Sequence, residues 1–499
     1  MPVVGVEPTR VISTRDFESP SSAIPTHRLM FRTLLIIPDS LPKIKTKNQR
    51  GNLSPGGLLF LRREVDRTRA GRYTGSRCFT PQEGLAVKNF DELLKKYADF
   101  IVRVGVNPQP GQVLIINCAL EGAPLARLCV RSAFEAGARD VQVNWTDDAV
   151  TRTRMELGSE EALTDHKGWQ LRRYLDYAET EGGVCVLHLI ADDPEVFAGL
   201  DGAKISRVNS ANRAFMQPWR EYTMNDRVQW SIAAIPSAPW AKKMFPELDT
   251  DAAIEALWQL IFDTCRVTGG DPVGEWQEHL ARLSALRDKM NALDLESVHF
   301  ASSNGTDLTV GIADQAVWES AASKNEKGVT FLPNIPTEEV FTAPHKDKVN
   351  GVVYGTKPYV FNGQLIKGFH VTFKDGKVVE HGAEEGADLL GQLLDTDEGA
   401  RHIGEVALVP ASSPINRCGK LFYNTLFDEN AACHIAFGDS YPGTTVGGTG
   451  LSKEELAARG MNHSSLHEDV MIGAEDSRIT GKCRDGRTVQ LFENGVWVL

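Results

Sequence analysis

The stretch KNFDELLKKYADFIVRVG, which begins at Lys88, carries apolar residues at helical spacing. These apolar positions, from Phe90 to Val104, fall on one face of a helix, and Gly105 is a typical helix end. The apolar run GQVLIINC follows, then the helical stretch APLARLCVRSAFEAG, then the run DVQVNW. Apolar runs on either side of an amphipathic helix predict a β-α-β unit.

The same alternation continues to residue 293 or so. Further helices are predicted in WQLRRYLDYAE, AAIEALWQLIFDTCRV and WQEHLARLSALRDKMNAL, and further strands in GVCVLHLI and VQWSIAAIP. Helical stretches between apolar strands are typical of a parallel sheet with helices on both faces. We therefore predict one doubly wound α/β domain over residues 88–293.

The C-terminal part of the chain has a different pattern. Asn-Gly or Asp-Gly pairs, which favour two-residue hairpins, begin at Asn304, Asn362, Asp375, Asp485 and Asn494. Alternating apolar residues flank several of them, as in GRTVQLFENGVWVL, and a capping box predicts a helix in LSKEELAARG. We therefore expect residues 294–499 to form an α+β domain rich in antiparallel sheet.

Residues 1–87 differ in composition from the rest of the chain. They hold 14 Lys and Arg against seven Asp and Glu, although the 499-residue chain has a net charge of −12. Pro, Ser, Arg and Thr are frequent there, and no apolar periodicity persists. We interpret residues 1–87 as a non-native or disordered extension, produced by an over-extended gene start, with true initiation near Val87. The alternative is a basic tail or targeting arm.

The overall composition narrows the class of protein. A hydrophobic content of 42% is ordinary for a globular protein, and the negative net charge argues against a nucleic-acid partner. No apolar run approaches the ~20 residues of a membrane span, so no membrane partner is expected. The eight cysteines are scattered, without a CxxC pair, which favours a reducing compartment. We therefore expect a cytoplasmic protein.

Several familiar site motifs are missing from the sequence. There is no HExxH zinc helix, no GxxxxGK[ST] phosphate loop and no GxGxxG after the first predicted strand. GDSYPG differs from the GxSxG nucleophile elbow because Pro442 stands where a glycine is required. The sequence therefore gives no support to nucleophilic serine or nucleotide chemistry.

The stretch NHSSLHEDVMIG, which begins at Asn462, is polar and then turns apolar. If it is a strand, His467 and Asp469 share a face and Glu468 points away. An imidazole beside a carboxylate suits a transition metal. A simple hydrogen bond between the two side chains is the alternative, and a helix would instead pair His463 with His467.

Three more segments bring acidic or histidine residues next to apolar sequence. Glu405 begins the apolar run EVALV, where an unpaired carboxylate would be costly to bury. The other three candidates also have ordinary interpretations. Glu339 in PTEEV could lie in an exposed loop or at a helix start, and Glu429 in FDEN in a solvated turn. His434 in AACHIAFG could be a core residue. Together, three carboxylates and two histidines would furnish two adjacent divalent sites. Their mixed nitrogen and oxygen donors suit Zn, Co or Mn better than Ca or Mg, with Mg kept as an alternative.

The strings NIPTEEVFTAPHKDKVNG, FDENAACHIAFG and HEDVMIG resemble those of the thermophilic metallo-aminopeptidases, the family of aminopeptidases T and S, over residues 88–499. That resemblance implies metal-dependent exopeptidases with a two-metal centre in the C-terminal domain and a dimeric assembly. It implies metal ligands at Glu339, Glu405 (bridging), His434, His467 and Asp469, a tyrosine near the metals at Tyr441, and a further ligand or general base at Glu429.

The function expected from the resemblance is removal of N-terminal residues from peptides by a water that two metals activate. Peptides with a free N-terminus are the expected partners, and a homodimer the expected assembly. We assign Glu429 as the proton shuttle and Tyr441 as the donor to the oxyanion. Two alternatives stay open: another two-metal hydrolase, such as an amidohydrolase or phosphoesterase, and a peptide-binding protein with a structural metal.

Overall fold

The computed structural model describes residues 87–191, 193–362 and 364–499. The interpretation of residues 1–87 as an extension therefore lies outside the described residues, apart from its last residue.

The first half of the described chain alternates helices with four strands. The four strands and the five helices that the apolar pattern predicted here are all present. The strands are β1 (Val113–Ala119), β2 (Asp140–Thr146), β3 (Val184–Ile190) and β4 (Trp230–Ala234). The helices are α1 (Phe90–Phe100), α2 (Ala123–Glu135), α3 (Asp148–Leu157), α4 (Glu160–Thr164), α5 (Gly168–Ala178), α6 (Gly202–Met224), α7 (Ala238–Met244), α8 (Thr250–Thr264) and α9 (Pro272–Ala292).

The second half is dominated by strands. The strands are β5 (Leu295–Ala301), β6 (Asp307–Ile312), β7 (Glu319–Ser320), β8 (Ser323–Lys324), β9 (Thr330–Phe331), β10 (Asn334–Ile335), β11 (Val340–Thr342), β12 (Pro344–Tyr354), β13 (Tyr359–Phe361), β14 (Gln364–Ile366), β15 (His370–Lys374), β16 (Lys377–Gly382), β17 (Ile403–Leu408), β18 (His434–Gly438), β19 (His467–Met471), β20 (Arg478–Cys483), β21 (Thr488–Glu493) and β22 (Val496–Trp497). The helices are α10 (Ala387–Leu394), α11 (Pro414–Arg417), α12 (Thr425–Asp428) and α13 (Lys453–Ala458).

Strands β1 to β4 form a parallel sheet in the order β4-β3-β1-β2. Helices cover both faces of this sheet, because β1 and β3 alternate apolar side chains between two separate cores. The larger core includes Tyr97 of α1 and Trp240 of α7, and the smaller one includes Trp219 of α6. The short strand β10 adds to the edge of the sheet by pairing with β4. The division into domains at residues 293 and 294 stays a prediction.

Each of the five Asn-Gly or Asp-Gly pairs named above lies between two strands that pair antiparallel, as predicted. The five hairpins are β5-β6, β13-β14, β15-β16, β20-β21 and β21-β22. The predicted capping box is also present, since the Ser452 side chain accepts from the Glu455 N–H and the Glu455 carboxylate accepts from the Ser452 N–H. The structure is thus a mixed α/β fold with a parallel sheet and antiparallel sheets.

Two antiparallel sheets dominate the C-terminal part of the fold. An eight-stranded sheet runs in the order β16-β15-β12-β6-β5-β20-β21-β22, and a five-stranded sheet in the order β19-β18-β17-β11-β7. A shared apolar core joins them, in which Phe373 of β15 stacks on Phe437 of β18 with ring centroids 6.4 Å apart. That packing buries one face of the five-stranded sheet and leaves its other face to carry the polar residues described below. Within the described ranges, no helix is long and apolar enough to cross a membrane.

Candidate metal centre

Three neighbouring strands of the five-stranded sheet present acidic and histidine side chains on one face. Ala436 of β18 pairs with Glu405 of β17 on one side and with Asp469 of β19 on the other. Paired residues point to the same face of a sheet, so the two carboxylates flank a methyl group. His434 lies two residues before Ala436 and therefore on the same face. The small alanine side chain leaves the space between the carboxylates open.

The stretch LHEDV is extended, as predicted from its alternation. His467 begins β19 opposite Gly438, and Asp469 follows two residues later on the same face. Glu468 lies between them and points to the other face, where its charge is felt by Tyr359. Burial, and then the Asp469 charge, raise the pKa of Glu468 to about 8.

Glu339 reaches the cluster from the segment that joins β10 to β11. Glu338 and Glu339 are 5% and 8% exposed, so the exposed-loop alternative for this segment is wrong. The Asn430 side chain accepts a hydrogen bond from the Glu338 N–H at 2.8 Å. On the far side of the segment, Arg266 donates to the Glu338 carboxylate at 2.6 Å. These two contacts hold the backbone that carries Glu339.

The side-chain atoms converge on the two imidazoles. His434 Nε2 lies 3.2 Å from Glu339 Oε2, 3.5 Å from Glu405 Oε1 and 3.8 Å from Asp469 Oδ1. His467 Nε2 lies 3.9 Å from Glu405 Oε2 and 3.7 Å from Asp469 Oδ1. The two oxygens of Glu405 therefore face different imidazoles.

The backbone fixes which nitrogen of each imidazole faces the cluster. His434 Nδ1 is 3.2 Å from the Ala432 carbonyl oxygen, and His467 Nδ1 is 2.9 Å from the Asp439 carbonyl oxygen. A carbonyl only accepts, so Nδ1 carries the proton in both rings. In the neutral imidazole the Nε2 lone pair is then left free, as in histidines that bind a metal.

The negative charges of the cluster favour the binding of a cation. Burial, and then the charges of Asp469 and Glu339, raise the pKa of Glu429 well above its ordinary value. Burial also raises the pKa of Glu405, to which the Glu339 and Asp469 charges add. Buried carboxylates this close together repel one another, and binding to metal ions relieves that repulsion. Nitrogen and carboxylate donors together fit a divalent transition metal.

Glu429 and Tyr441 complete the cavity. Glu429 is 7% exposed, and its Oε1 accepts from the Asn430 side chain at 3.2 Å. The solvated-turn interpretation of Glu429 is therefore wrong. The Tyr441 ring lies against the His467 ring, with centroids 4.7 Å apart and planes at 62°. All seven predicted site residues line one cavity of about 530 Å³.

His463, which a helical conformation of this stretch would have paired with His467, does not join the cluster. The exposed His463 side chain is 2.8 Å from Asp439 Oδ1. Asn430, in contrast, belongs to the site although no pattern in the sequence distinguished it: its side chain is fully buried and contacts both Glu338 and Glu429. Its position directly after Glu429 in FDEN was the only signal in the sequence that could have indicated it.

A buried face with two oriented imidazoles and several carboxylates fits a site for divalent metal ions. The chain matches the family model "Thermophilic metalloprotease (M29)" over residues 90–497. It is 43% identical to aminopeptidase 2 of Geobacillus stearothermophilus and 40% identical to aminopeptidase T of Thermus aquaticus, in each case over 82% of this chain and 99% of the relative. The structure of wild-type AmpT from Thermus thermophilus superposes with a TM-score of 0.76 at 37% identity, over 82% of this chain and 100% of that one.

The chain belongs to the thermophilic metalloprotease family M29. The resemblance to aminopeptidases T and S is thereby confirmed, as is the enzyme class of a metallo-aminopeptidase. Family membership implies a divalent metal cofactor and peptide substrates.

Proposed function

We propose that the chain removes N-terminal residues from peptides with the help of two divalent ions bound side by side in the cavity. The observation that carries this proposal is the placement of Glu405, whose two carboxylate oxygens lie 3.5 and 3.9 Å from the Nε2 atoms of two different histidines. A carboxylate with one oxygen toward each of two metal positions is suited to bridge two ions, which in such centres lie about 3.5–4 Å apart.

The remaining donors divide between the two positions. His434 and Glu339, 3.2 Å apart, would hold one ion, and His467 would hold the other. Asp469 Oδ1 lies within 3.8 Å of both imidazoles and would serve either position. When bound, two such ions polarise a carbonyl and lower the pKa of water from about 15.7 to about 7.

Glu429 would carry the proton. Its carboxylate is buried beside the cluster, and the raised pKa makes it a better proton acceptor than an ordinary glutamate. It would take a proton from the attacking water and give it to the leaving amine nitrogen. The hydrogen bond from Asn430 to Glu429 Oε1 fixes the orientation of this carboxylate.

Tyr441 would stabilise the charge that develops on the carbonyl oxygen. Burial, and then the Glu405 charge, raise the pKa of Tyr441 well above its ordinary value, so the hydroxyl keeps its proton. A protonated phenol in a buried site can donate to an oxyanion. The ring contact with His467 holds the hydroxyl on the side of that ligand.

The test is metal removal followed by add-back. The chelated protein should lose turnover of leucine p-nitroanilide and regain it with Zn, Co or Mn, reaching two ions per chain by elemental analysis. N-acetyl-leucine p-nitroanilide, which lacks the free amine, should stay uncleaved by the reloaded protein. Turnover without metal, or full activity at one ion per chain, would contradict the two-metal proposal. A peptide-binding protein would turn over neither substrate in either state.

We also propose that the enzyme is a homodimer located in the cytoplasm. The seven cysteines of the described ranges are free thiols, which fits a reducing compartment. The dimer rests on the family resemblance, and sedimentation equilibrium of the purified chain tests it.

A further inference from the structure

One face of α6 forms the wall of a cleft next to the metal cavity. The cleft has a volume of about 1850 Å³, and its α6 wall includes Ser210, Arg213, Gln217 and Arg220. These residues recur every three or four positions and therefore form one stripe along the helix. The cleft is bounded on its other side by residues around α10, α13 and the loop that precedes β19.

The two arginines of this stripe have no partner in the described part of the chain. Neither the Arg213 nor the Arg220 guanidinium forms an ion pair there within 4.0 Å. Arg207, which lies six residues before Arg213 on α6, does have a partner. It donates two hydrogen bonds to Glu160, at 2.8 and 2.9 Å. A guanidinium offers a planar fork of donors that matches a carboxylate.

Several carboxylates on the opposite wall are engaged by residues of their own wall. Asp395 accepts from Arg401 at 2.6 Å, and Asp397 accepts from the side chains of Ser464 and Ser465 at 2.7 Å each. These hydrogen bonds hold the two carboxylates to their own wall. Asp388 and Glu398 line the cleft without an ion pair among the described residues, and the Arg213 charge partly offsets the rise in the pKa of Glu468. These three carboxylates are therefore the ones that compete with a substrate for the stripe.

The cleft and the metal cavity adjoin each other at the end of α6. Met224 and Asn225 line both of them. On the other side, Tyr441 lines the metal cavity while its neighbours Ser440 and Pro442 line the cleft. If the N-terminal residue of a peptide lies at the metal ligands, the rest of the peptide can therefore extend into the cleft. Its C-terminal end then lies along α6.

We propose that Arg213 and Arg220 bind the C-terminal carboxylate of short peptide substrates. The inference rests on the proposed function, since it takes the N-terminus of the peptide to lie at the metal ligands. Arg220 is four residues from Met224, or ~6 Å along the helix, and Arg213 lies ~10 Å beyond Arg220. An extended peptide spans about 3.4 Å per residue, so Arg213 would bind substrates about three residues longer than those that Arg220 binds.

The experiment compares free-acid and amidated forms of the same peptides. Leu-Gly-Gly and Leu-Gly-Gly-Gly-Gly-Gly are assayed as acids and as C-terminal amides, which differ only in the charge at the far end. The wild-type enzyme should cleave the acids with a kcat/KM about tenfold higher than the amides. Arg220→Gln should reduce the ratio of acid to amide for the tripeptide, and Arg213→Gln should reduce it for the hexapeptide. Arg207→Gln, on the same helix but paired with Glu160, should leave both ratios unchanged.

Two results would overturn the inference. Equal cleavage of acids and amides by the wild-type enzyme would show that the carboxylate is not recognised. A fall in both rates with the ratio kept would assign the arginines to closure of the cleft, for example by pairing with Asp388. Calorimetry measures how tightly the acid and amide forms of both peptides bind to the metal-free protein. It gives the ratio of acid to amide affinity without any turnover. Tighter binding of the acids there would support the carboxylate site even if the proposed hydrolysis failed.

Discussion

His467 and Glu468 are consecutive in the sequence, yet their side chains lie on opposite faces of β19. His467 Nε2 lies 3.9 Å from Glu405 in the cluster, whereas Glu468 is partly buried on the other side, with its pKa raised to about 8. Both are good metal ligands chemically. The alternation of the strand, and not residue type, therefore decides which of them faces the proposed metals.

Alanine substitutions along this strand should have asymmetric effects. His467→Ala and Asp469→Ala should each release metal and abolish activity, because each removes a donor from the cluster. Glu468→Ala should leave the metal content intact, with any loss arising from packing. Metal per chain and turnover are measured for each variant.

His463→Ala is the matched control for this series. His463 is exposed and bonded to Asp439, so its removal should leave metal and activity in place. A requirement for His463 or Glu468, but not for Asp469, would contradict a site carried by the strand.

Glu405→Gln should reduce both bound metal and activity. The amide keeps the shape of the side chain but removes the negative charge that two cations would share. We expect turnover to fall by more than about 100-fold, since even changes outside the direct ligands cost about 10- to 100-fold. Elemental analysis and the peptidase assay measure the two effects. Glu380→Gln on the exposed side of β16 is the control, and two ions with near-normal turnover in Glu405→Gln would refute the bridging role.

Much of the fold could be predicted from local pattern. The strands of the parallel sheet are apolar runs because both of their faces are buried, and the hairpins follow from Asn-Gly and Asp-Gly pairs. Helix α6 gave no comparable signal. Only Ile205, Val208 and Trp219 are buried over its 23 residues, so its apolar stripe is too thin to stand out.

The site was predictable in part for the same reason. The spacing of His467 and Asp469 on a strand indicated a shared face, whereas the ligand set itself came from the family resemblance. The placement of Ala436 between Glu405 and Asp469 depends on the register of strands that are distant in the sequence. Local periodicity carries no information on that register. For the same reason it does not predict the contact of Asn430 with Glu338.

Asn430→Ala should destabilise the protein and disturb the site. The side chain accepts from the Glu338 N–H at 2.8 Å and donates to the Leu426 carbonyl and to Glu429. Its removal leaves buried polar groups unpaired, which costs about 1–3 kcal/mol. Chemical unfolding of the metal-free protein measures the stability, and kcat measures the orientation of Glu429. Unchanged stability and unchanged kcat together would show that this network does not position the site.

A chain that begins at Lys88 should keep full activity and thermal stability. The expectation follows from the composition of residues 1–87, whose polar and basic sequence lacks the apolar periodicity of a folded core. Melting temperature and kcat/KM of the shortened chain are compared with those of the full chain. A loss of either on truncation would show that residues 1–87 contribute to the enzyme.

His279 should make the fold sensitive to mild acid. The side chain is 4% exposed, with Nε2 2.9 Å from the Thr337 carbonyl oxygen, and burial, followed by the Arg266 charge, lowers the pKa of His279 to about 3. In the unfolded chain a histidine has a pKa near 6.5, so below that pH the unfolded chain binds a proton that the folded chain does not. This contribution to stability is therefore lost as the pH falls from about 6.5 toward 3, and it amounts to about 2 kcal/mol at pH 5.

His279→Gln tests that contribution, because glutamine keeps a donor for the Thr337 carbonyl but does not titrate. The free energy of unfolding of the metal-free protein is measured by urea titration at pH 7 and pH 5. Wild type should lose about 2 kcal/mol more than the variant between the two values. Since other titrating groups are shared by both proteins, their effects cancel in this difference to first order. An equal loss in both proteins would mean that His279 takes up its proton in the folded state as readily as in the unfolded one.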